Sequence, residues 1–364
     1  MENSLGKLLK QQDGPVLITG HTGFKGTWLT MLLENLGIRV AGLSLPPLNN
    51  SLYNRANRIG KIQEYFSDIS DLDSTQGIVN KIKPSAIVHL AAQPLVLESY
   101  NKPLETFSVN VMGTANVLEA AFKCGSVKAI LVATTDKVYE NLENDKSFIE
   151  SDPLKGSDPY SCSKVATESV VSAWQEISSK FEGPNLISVR SGNVIGGGDL
   201  ANNRIMTDLI NGFKDKTDII IRNPNSTRPW QHVLDTSIGY TMAIEKIIEK
   251  KPDFKSLNFG PESKGYTVKY VAEYAESIWP SKTLIKFAEN TNLLESKFLN
   301  LNSSLAHEIL GWFPVLSQDE AIKKTITWWK RNLFENISAN ELCNEEIEDV
   351  RYLLSLKNLG SKHG

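Results

Sequence analysis

The start of the chain constrains the fold most, because it combines a short apolar run, three evenly spaced glycines and a helical pattern. The run Val16–Thr19 has the length and composition of a strand, and Gly20, Gly23 and Gly26 follow it directly. Apolar residues then recur at the spacing of one helix face: Trp28, Leu29, Leu32, Leu33 and Leu36. Another apolar run lies at 39–43, so the order strand, helix, strand predicts parallel α/β sheet.

The first half of the chain continues this alternation. Apolar runs at 86–91, 128–134 and 187–190 predict further strands, and helical periodicity predicts helices over 104–124 and from 157 to about 179. We therefore predict an α/β fold with a doubly wound parallel Rossmann sheet and a smaller, loop-rich C-terminal substrate domain.

Glycine and proline become frequent after residue 190, as in Gly196-Gly197-Gly198, and this shift predicts a domain boundary. The Rossmann domain is expected at 1–190, completed by segments near 233–258. A substrate region is expected at 191–335. A helical tail should follow at 336–364, with an acidic amphipathic helix around 345–356.

Composition excludes several classes of function. The 364 residues carry a formal charge of −3, which gives no broad basic surface for nucleic acid or an anionic membrane. Three cysteines without paired spacing predict neither a disulfide framework nor a metal site. The chain shows no signal-peptide pattern and no apolar run of the ~18 residues that span a membrane. We expect a cytoplasmic protein.

The glycine-rich loop predicts a dinucleotide site, because glycines allow close approach to a pyrophosphate and the following helix offers free amides. A merely structural turn is the alternative. The residues expected to contact the cofactor are Gly20, His21, Thr22, Gly23, Phe24 and Gly26.

The end of the second predicted strand lacks the acidic residue that usually binds the adenosine ribose. Ser44 stands nearby and is either a ribose ligand or an ordinary loop serine. No arginine there selects a 2′-phosphate, which favours NAD over NADP. Other expected cofactor contacts are Asp68, Ile69, Leu90, Ala91 and Ala92, whereas His89 is expected in the core.

Tyr160 and Lys164 have the YxxxK spacing, which places both side chains on one face of a helix. An ammonium beside a phenol can lower the pKa of the phenol and can also bind a ribose. Together with the glycine loop, the pair predicts redox chemistry on a hydroxyl group.

Thr135, Asp136 and Lys137 end a predicted strand, at the edge where doubly wound sheets place their sites. Thr135 can hold a substrate hydroxyl, Asp136 can protonate a leaving hydroxyl, and Lys137 can deprotonate or polarise a carbon acid. The alternative is an Asp–Lys pair on the surface.

The sequence resembles the CDP-glucose 4,6-dehydratases of the extended short-chain dehydrogenase/reductases over most of residues 15–330. The matching stretches are GHTGFKGTWL, HLAAQPLV, SYNKPLETFSVNVMGTANVLEA, TTDKVYEN, DPYSCSKVATE, SGNVIGGGD, IRNPNSTRPWQHVLD, NFGP and LGW. Lys137 is the discriminating residue, since dTDP-glucose dehydratases have Thr-Asp-Glu there.

The resemblance implies an NAD-dependent internal redox cycle on a nucleotide diphosphate sugar, catalysed by Thr135, Asp136, Lys137, Tyr160 and Lys164, in a homodimer or higher homo-oligomer. It also implies substrate contacts from Asn193, Arg204, Arg222, Arg228, Trp230, Gln231 and His232. The alternatives are a nucleotide-sugar 4-epimerase, a dehydratase for another nucleotide sugar and a noncatalytic NAD-binding protein, the last disfavoured by the complete set of catalytic side chains.

Overall fold

The computed structural model describes residues 5–201, 204–288 and 298–360. Its strands, numbered along the chain, are β1 Val16–Thr19, β2 Val40–Ser44, β3 Gln63–Phe66, β4 Ala86–His89, β5 Ala129–Ala133, β6 Ser147–Phe148, β7 Asn185–Ser191, β8 Asn193–Ile195, β9 Ile219–Arg222, β10 Thr227–Arg228, β11 Trp230–His232, β12 Ser256–Phe259, β13 Tyr266–Thr267, β14 Ile285–Ala288 and β15 Asn300–Leu301.

The helices are α1 Lys7–Lys10, α2 Phe24–Asn35, α3 Leu52–Arg55, α4 Leu72–Ile82, α5 Val96–Asn101, α6 Pro103–Phe107, α7 Thr114–Cys124, α8 Pro159–Phe181, α9 Ile205–Asp215, α10 Val233–Glu249, α11 Val268–Ile278, α12 Ser304–Leu310, α13 Gln318–Phe334 and α14 Ala339–Gly360. None of the helices in the described part of the chain is long and apolar enough to cross a bilayer.

Seven strands form the central sheet in the order β12-β7-β5-β4-β1-β2-β3, and every pairing is parallel. The predicted α/β Rossmann fold is therefore confirmed. Successive side chains of a strand enter the two different cores. In β1, Ile18 packs on the side of α2 and α10, whereas Leu17 packs on the side of α4 and α7. Both faces are covered, which explains the continuous apolar runs of the sequence.

The strand order reverses between β1 and β4, and this reversal places a crevice at the carboxyl ends of the two strands. Thr19 at the end of β1 hydrogen-bonds the ring of His89 at the end of β4, 2.6 Å away. The Thr19 hydroxyl also accepts hydrogen bonds from the amides of Leu90 and Ala91. His89 is buried, as predicted, so the pair fixes the floor of the crevice.

The single helix predicted over 104–124 is wrong in one respect, because Ser108–Gly113 forms a π-helical turn between α6 and α7. Asn110 lies within this turn. Its buried side chain accepts the Gln93 amide at 2.8 Å and donates to Ser163 on α8 at 2.9 Å. The widened turn thus joins the loop after β4 to α8, a contact that helical periodicity does not reveal.

The segments after β7 form small two-stranded ladders beside the main sheet, including β8 with β11 and β9 with β14. Two later elements return to the main sheet: β12 pairs with β7, and α10 packs against α2. The helix predicted around 345–356 is longer in the structure, spanning α14, and it packs against α2 and α13. Residues 1–4 and 361–364 of the predicted end segments lie outside the described residues.

The three glycines 196–198 serve packing between elements. A Cβ on Gly196 would lie 2.7 Å from Val233, and one on Gly197 would lie 2.1 Å from the ring of Trp328. Gly198 has a φ of +86°, a conformation that favours glycine. The absence of side chains in this segment therefore allows α10 and α13 to pack closely against the chain that follows β7.

Replacing Gly197 with alanine tests this close packing. We expect Gly197→Ala to lower the free energy of unfolding by about 1–3 kcal/mol, because the buried Trp328 must shift. Gly77→Ala is the control, since a Cβ on this helical glycine meets nothing within 4 Å. It should raise the free energy of unfolding by about 0.5–1 kcal/mol. Urea denaturation measures both, and equal stabilities would contradict the packing role of Gly197.

Candidate active site

The loops after β1, β4, β5 and β7 meet at the carboxyl edge of the sheet, and most of the predicted site residues lie there. The glycines of the phosphate loop, called the glycine cradle below, stand where a Cβ would collide with neighbouring backbone. Gly20 has a φ of +76°, and a Cβ on it would lie 2.8 Å from the Ala91 nitrogen. A Cβ on Gly26 would lie 2.1 Å from the Gly20 oxygen. Gly23 precedes the twelve-residue α2 without a side-chain cap, so the first amides of the helix are available to an anion.

The side chains of His21 and Phe24 pack against other parts of the protein. The His21 ring is fully buried, with Nε2 3.4 Å from a Glu64 oxygen. It packs on Gly42, where a Cβ would lie 2.5 Å from the ring. Burial lowers the pKa of His21, which keeps the ring neutral. Only the backbone of His21 is therefore available to the cofactor. Phe24 packs against the core.

The predicted adenosine contacts lie around the ends of β2, β3 and β4. The Ser44 hydroxyl is 2.7 Å from that of Thr22, so the end of β2 is joined to the phosphate loop. Asp68 is exposed and accepts the amide of Ser70, whereas Ile69 is buried in the core. Ala92 is half-buried just after the Leu90 and Ala91 amides. Small side chains at the end of β4 leave the crevice open.

Helix α8 carries Tyr160 and Lys164, and its start is sharply defined. Asp158 is the N-cap and forms a capping box with Ser161, while Pro159 stands at the first helical position. The Tyr160 amide also donates to the Ser99 hydroxyl at 3.1 Å. These contacts fix the first turn, so Tyr160 is held at the site.

Burial dominates the electrostatics of this pair. It raises the pKa of Tyr160 to about 12, although a hydrogen bond with Thr135 opposes the rise. Burial, together with the nearby charge of Lys25, lowers the pKa of Lys164 to about 8. The predicted lowering of the phenol pKa by Lys164 is therefore wrong for the protein alone. The Lys164 ammonium donates to the Ala133 carbonyl oxygen at 3.3 Å.

Thr135, Asp136 and Lys137 follow β5, and the surface-pair alternative does not hold because Asp136 is only 2% exposed. One Asp136 oxygen accepts the Thr135 hydroxyl at 3.1 Å, and the other has no hydrogen-bond partner among residues 5–201, 204–288 and 298–360. Burial raises the pKa of Asp136 and the Lys137 charge opposes this rise. Across those ranges, no three His, Cys, Asp or Glu side chains are grouped as a metal site.

Lys25 is a site residue that the sequence patterns did not indicate. It lies in the phosphate loop, and its ammonium donates to the Ser191 hydroxyl at 3.1 Å and to the Tyr240 hydroxyl at 3.4 Å. Burial, then the charge of Arg204, lowers the pKa of Lys25 to about 8. The only signal in the sequence was a basic residue between two loop glycines.

Arg204 and Arg228 are the two predicted substrate arginines that the structure brings near the catalytic residues. The charge of Arg204 acts on Tyr160 and that of Arg228 acts on Asp136. Arg204 also pairs with Asp199 at 3.5 Å. Asn193 is half-buried at the start of β8, and Arg222 is exposed at the end of β9. Arg204 and Arg228 therefore fit an anionic substrate better than Arg222 does.

Trp230, Gln231 and His232, three of the predicted substrate contacts, are all buried in β11 and have partners within the protein. Trp230 donates from its ring to the Tyr266 carbonyl oxygen at 3.1 Å. His232 caps the start of α10 and lies 3.3 Å from Glu346 of the tail helix. Gln231 accepts a hydrogen bond from the Thr236 hydroxyl. The buried side-chain nitrogen of Gln231 has no hydrogen-bond partner among the residues that the structure describes.

The sequence profile of the NAD dependent epimerase/dehydratase family matches residues 16–259. This chain belongs to that family. The resemblance inferred from the motifs is thereby confirmed, and the chain is an NAD-dependent enzyme. The glycine cradle and the free amides of α2 fit the pyrophosphate of NAD.

Individual members of the family are similar over most of their length. A CDP-glucose 4,6-dehydratase from Salmonella typhimurium is 36% identical, with 88% of this chain and 91% of the relative aligned. A dTDP-glucose 4,6-dehydratase from Haemophilus influenzae is 26% identical, with 87% and 98% aligned. The solved structure of a Thermus thermophilus UDP-glucose 4-epimerase complex with NAD has a TM-score of 0.76 at 21% identity, covering 87% of this chain and 99% of that one.

A buried ion pair supports α8, the helix that carries Tyr160 and Lys164, and sequence patterns did not indicate it. Both Glu168 oxygens accept hydrogen bonds from the Arg190 guanidinium at 2.9 Å. Thr134 and Ser188 donate to the same carboxylate. Burial alone would raise the pKa of Glu168, but Arg190 lowers it below its ordinary value. The signal in the sequence was an arginine within an otherwise apolar strand.

Removing Arg190 should be costly because it leaves the Glu168 charge buried without its partner. We expect Arg190→Met to lower the free energy of unfolding by about 3–5 kcal/mol. Lys123→Met is the control, since Lys123 pairs with Glu119 on an exposed helix face at 2.8 Å. Lys123→Met should lower the free energy of unfolding by less than about 1 kcal/mol. Urea denaturation compares the two, and similar losses would show that the buried pair has no special role.

Proposed function

We propose that this enzyme is a CDP-glucose 4,6-dehydratase that converts CDP-glucose to CDP-4-keto-6-deoxyglucose and water. The observation that carries the proposal is Asp136, a buried carboxyl group with a raised pKa, held beside Thr135 and Tyr160. Such a group retains its proton more readily than an exposed aspartate, as a general acid requires. The identity to the Salmonella typhimurium relative supports the same substrate class.

The reaction begins with oxidation at C4′ of the sugar. Tyr160 takes the proton of the 4′-hydroxyl, and Thr135, whose side chain acts on the pKa of the phenol, orients that hydroxyl. Bound NAD would supply the hydride acceptor for C4′ and the hydride donor for C6′, and its nicotinamide ring would bring a positive charge to the site. Lys164 adds a second positive charge. Both charges favour the tyrosinate form that burial alone disfavours.

Elimination follows because the new ketone makes the C5′ proton acidic. Lys137 removes that proton, and Asp136 gives its own proton to the leaving 6′-hydroxyl, which departs as water. When hydride returns to C6′, Lys137 gives the proton back to C5′, which completes the 4-keto-6-deoxy product. The unpartnered Asp136 oxygen can receive the leaving 6′-hydroxyl as a hydrogen-bond partner. Gly192 leaves room beside it, since a Cβ there would lie 3.0 Å from the same oxygen.

The nucleotide diphosphate is held by residues of the proposed substrate region at 191–335. Arg204 and Arg228 supply cationic donors close to the catalytic group, and Asn193 supplies an amide. A homodimer through α6, α7 and α8 is also part of the proposal. Exposed apolar residues on α6, on α8 and in the turn between α6 and α7 support it, namely Leu104, Phe107, Met112 and Phe181.

A nucleotide-sugar 4-epimerase is the rival within the family. An epimerase returns hydride to C4′ and releases no hydroxyl group, so it needs no acid for a leaving group. Asp136 would then be a buried carboxyl group without a task, which favours dehydration.

The substrate and the reaction are tested together by incubating the enzyme with CDP-, dTDP-, GDP- and UDP-hexoses. We expect CDP-glucose to lose the mass of one water and to gain the ultraviolet absorbance of a 4-keto sugar. Catalytic NAD should suffice, because each turnover returns the hydride. Stoichiometric NADH would contradict the internal redox cycle, and a 4-epimer of unchanged mass would establish epimerase activity instead.

Asp136→Asn separates elimination from oxidation, because the amide keeps the size of the side chain but cannot donate the required proton. With 4′-deuterated CDP-glucose, the variant should form deuterated NADH that persists, while the wild type moves deuterium to C6′. Turnover should fall on the order of a hundredfold or more. Glu140→Gln, at a pair with Lys155 on the surface, is the control and should retain turnover. A wild-type rate for Asp136→Asn would remove the general acid from the mechanism.

A further inference from the structure

Lys25 links two parts of the site that are distant in the sheet. It belongs to the first turn of α2, directly behind the phosphate loop, yet its ammonium reaches Ser191 at the end of β7. Strands β4 and β5 lie between β1 and β7. The ammonium is therefore far along the carboxyl edge from the adenosine side at β2 and β3.

The electrostatic contacts of Lys25 place it beside the reacting groups. Its charge contributes to the lowered pKa of Lys164, and the Asp136 charge acts on Lys25 in turn. The phosphate loop fits the pyrophosphate of NAD, and Tyr160 marks the reactive end of the site. Lys25 thus lies between the pyrophosphate site and Tyr160, on the side where the nicotinamide is expected.

Packing alone does not require this ammonium. The Ser191 and Tyr240 hydroxyls lie 3.1 Å apart and hydrogen-bond each other, so each retains a partner without Lys25. Burying a charge is unfavourable unless something compensates for it. Although burial lowers the pKa of Lys25 to about 8, the amine remains mostly protonated near neutral pH.

We propose that Lys25 makes the bound NAD a stronger oxidant, an inference whose catalytic purpose rests on the proposed function. The oxidised nicotinamide ring is cationic and the reduced ring is neutral. A fixed ammonium on the nicotinamide side repels only the oxidised ring, and therefore favours the reduced form. Removal of hydride from C4′ of the sugar is the step that this charge assists.

The test is the ratio of the dissociation constants of NADH and NAD, measured by calorimetry near neutral pH without sugar. Lys25→Met keeps an unbranched side chain that is one atom shorter and removes its charge. We expect the ratio of NADH to NAD dissociation constants to rise about tenfold, equivalent to a fall of about 30 mV in the potential of the bound couple. The pyrophosphate is the same in both forms, so its contribution cancels.

Two controls separate charge from structure. Lys25→Arg retains the charge and should retain the ratio, and Tyr240→Phe removes a hydrogen-bond partner without changing charge and should do the same. Equal weakening of NAD and NADH in Lys25→Met, or an unchanged ratio, would overturn the proposal. Because no sugar is present, this result is independent of the substrate panel, and either proposal can fail alone.

Discussion

The Glu168 carboxylate ties together the segments on which the site depends. It pairs with Arg190 of β7, accepts the Thr134 hydroxyl at the end of β5, and belongs to α8 itself. On that helix it lies one turn beyond Lys164 and two turns beyond Tyr160. One buried charge therefore fixes the rotation and depth of α8 relative to the strand that leads into Thr135 and Asp136. The position of both segments of the candidate site follows from this pairing.

Burial moves the titratable groups of the site toward their neutral forms. The pKa of Asp136 and of Tyr160 rises, and the pKa of Lys25 and of Lys164 falls. Removal from water penalises every charge, while the few charged neighbours only partly oppose it. In such a site a single added charge has a large effect. The positive ring of NAD and the phosphates of a nucleotide sugar are thus suited to control which group holds a proton.

The glycines illustrate what a pattern can and cannot distinguish. Gly20 and Gly26 were expected to form the phosphate loop, and their close contacts with neighbouring backbone fit that role. Gly42 and Gly197 have equally close contacts, but with the rings of His21 and Trp328. The spacing after a strand identified the first pair. The second pair depends on side chains from other segments, which the local sequence does not contain.

Sequence by itself determined the alternation of strands and helices in the first half of the chain, the family, the glycine loop and the Tyr160–Lys164 pair, because each depends on local periodicity or on short spacing. Only the tertiary structure decided which polar residues face the site. Trp230 and His232 stand in a motif-rich segment, yet their partners Tyr266 and Glu346 bury them. Lys25 and the pair of Glu168 with Arg190 gain their roles from contacts across the sheet. Side-chain direction and charge environment are properties of packing between distant segments, so the sequence alone could not supply them.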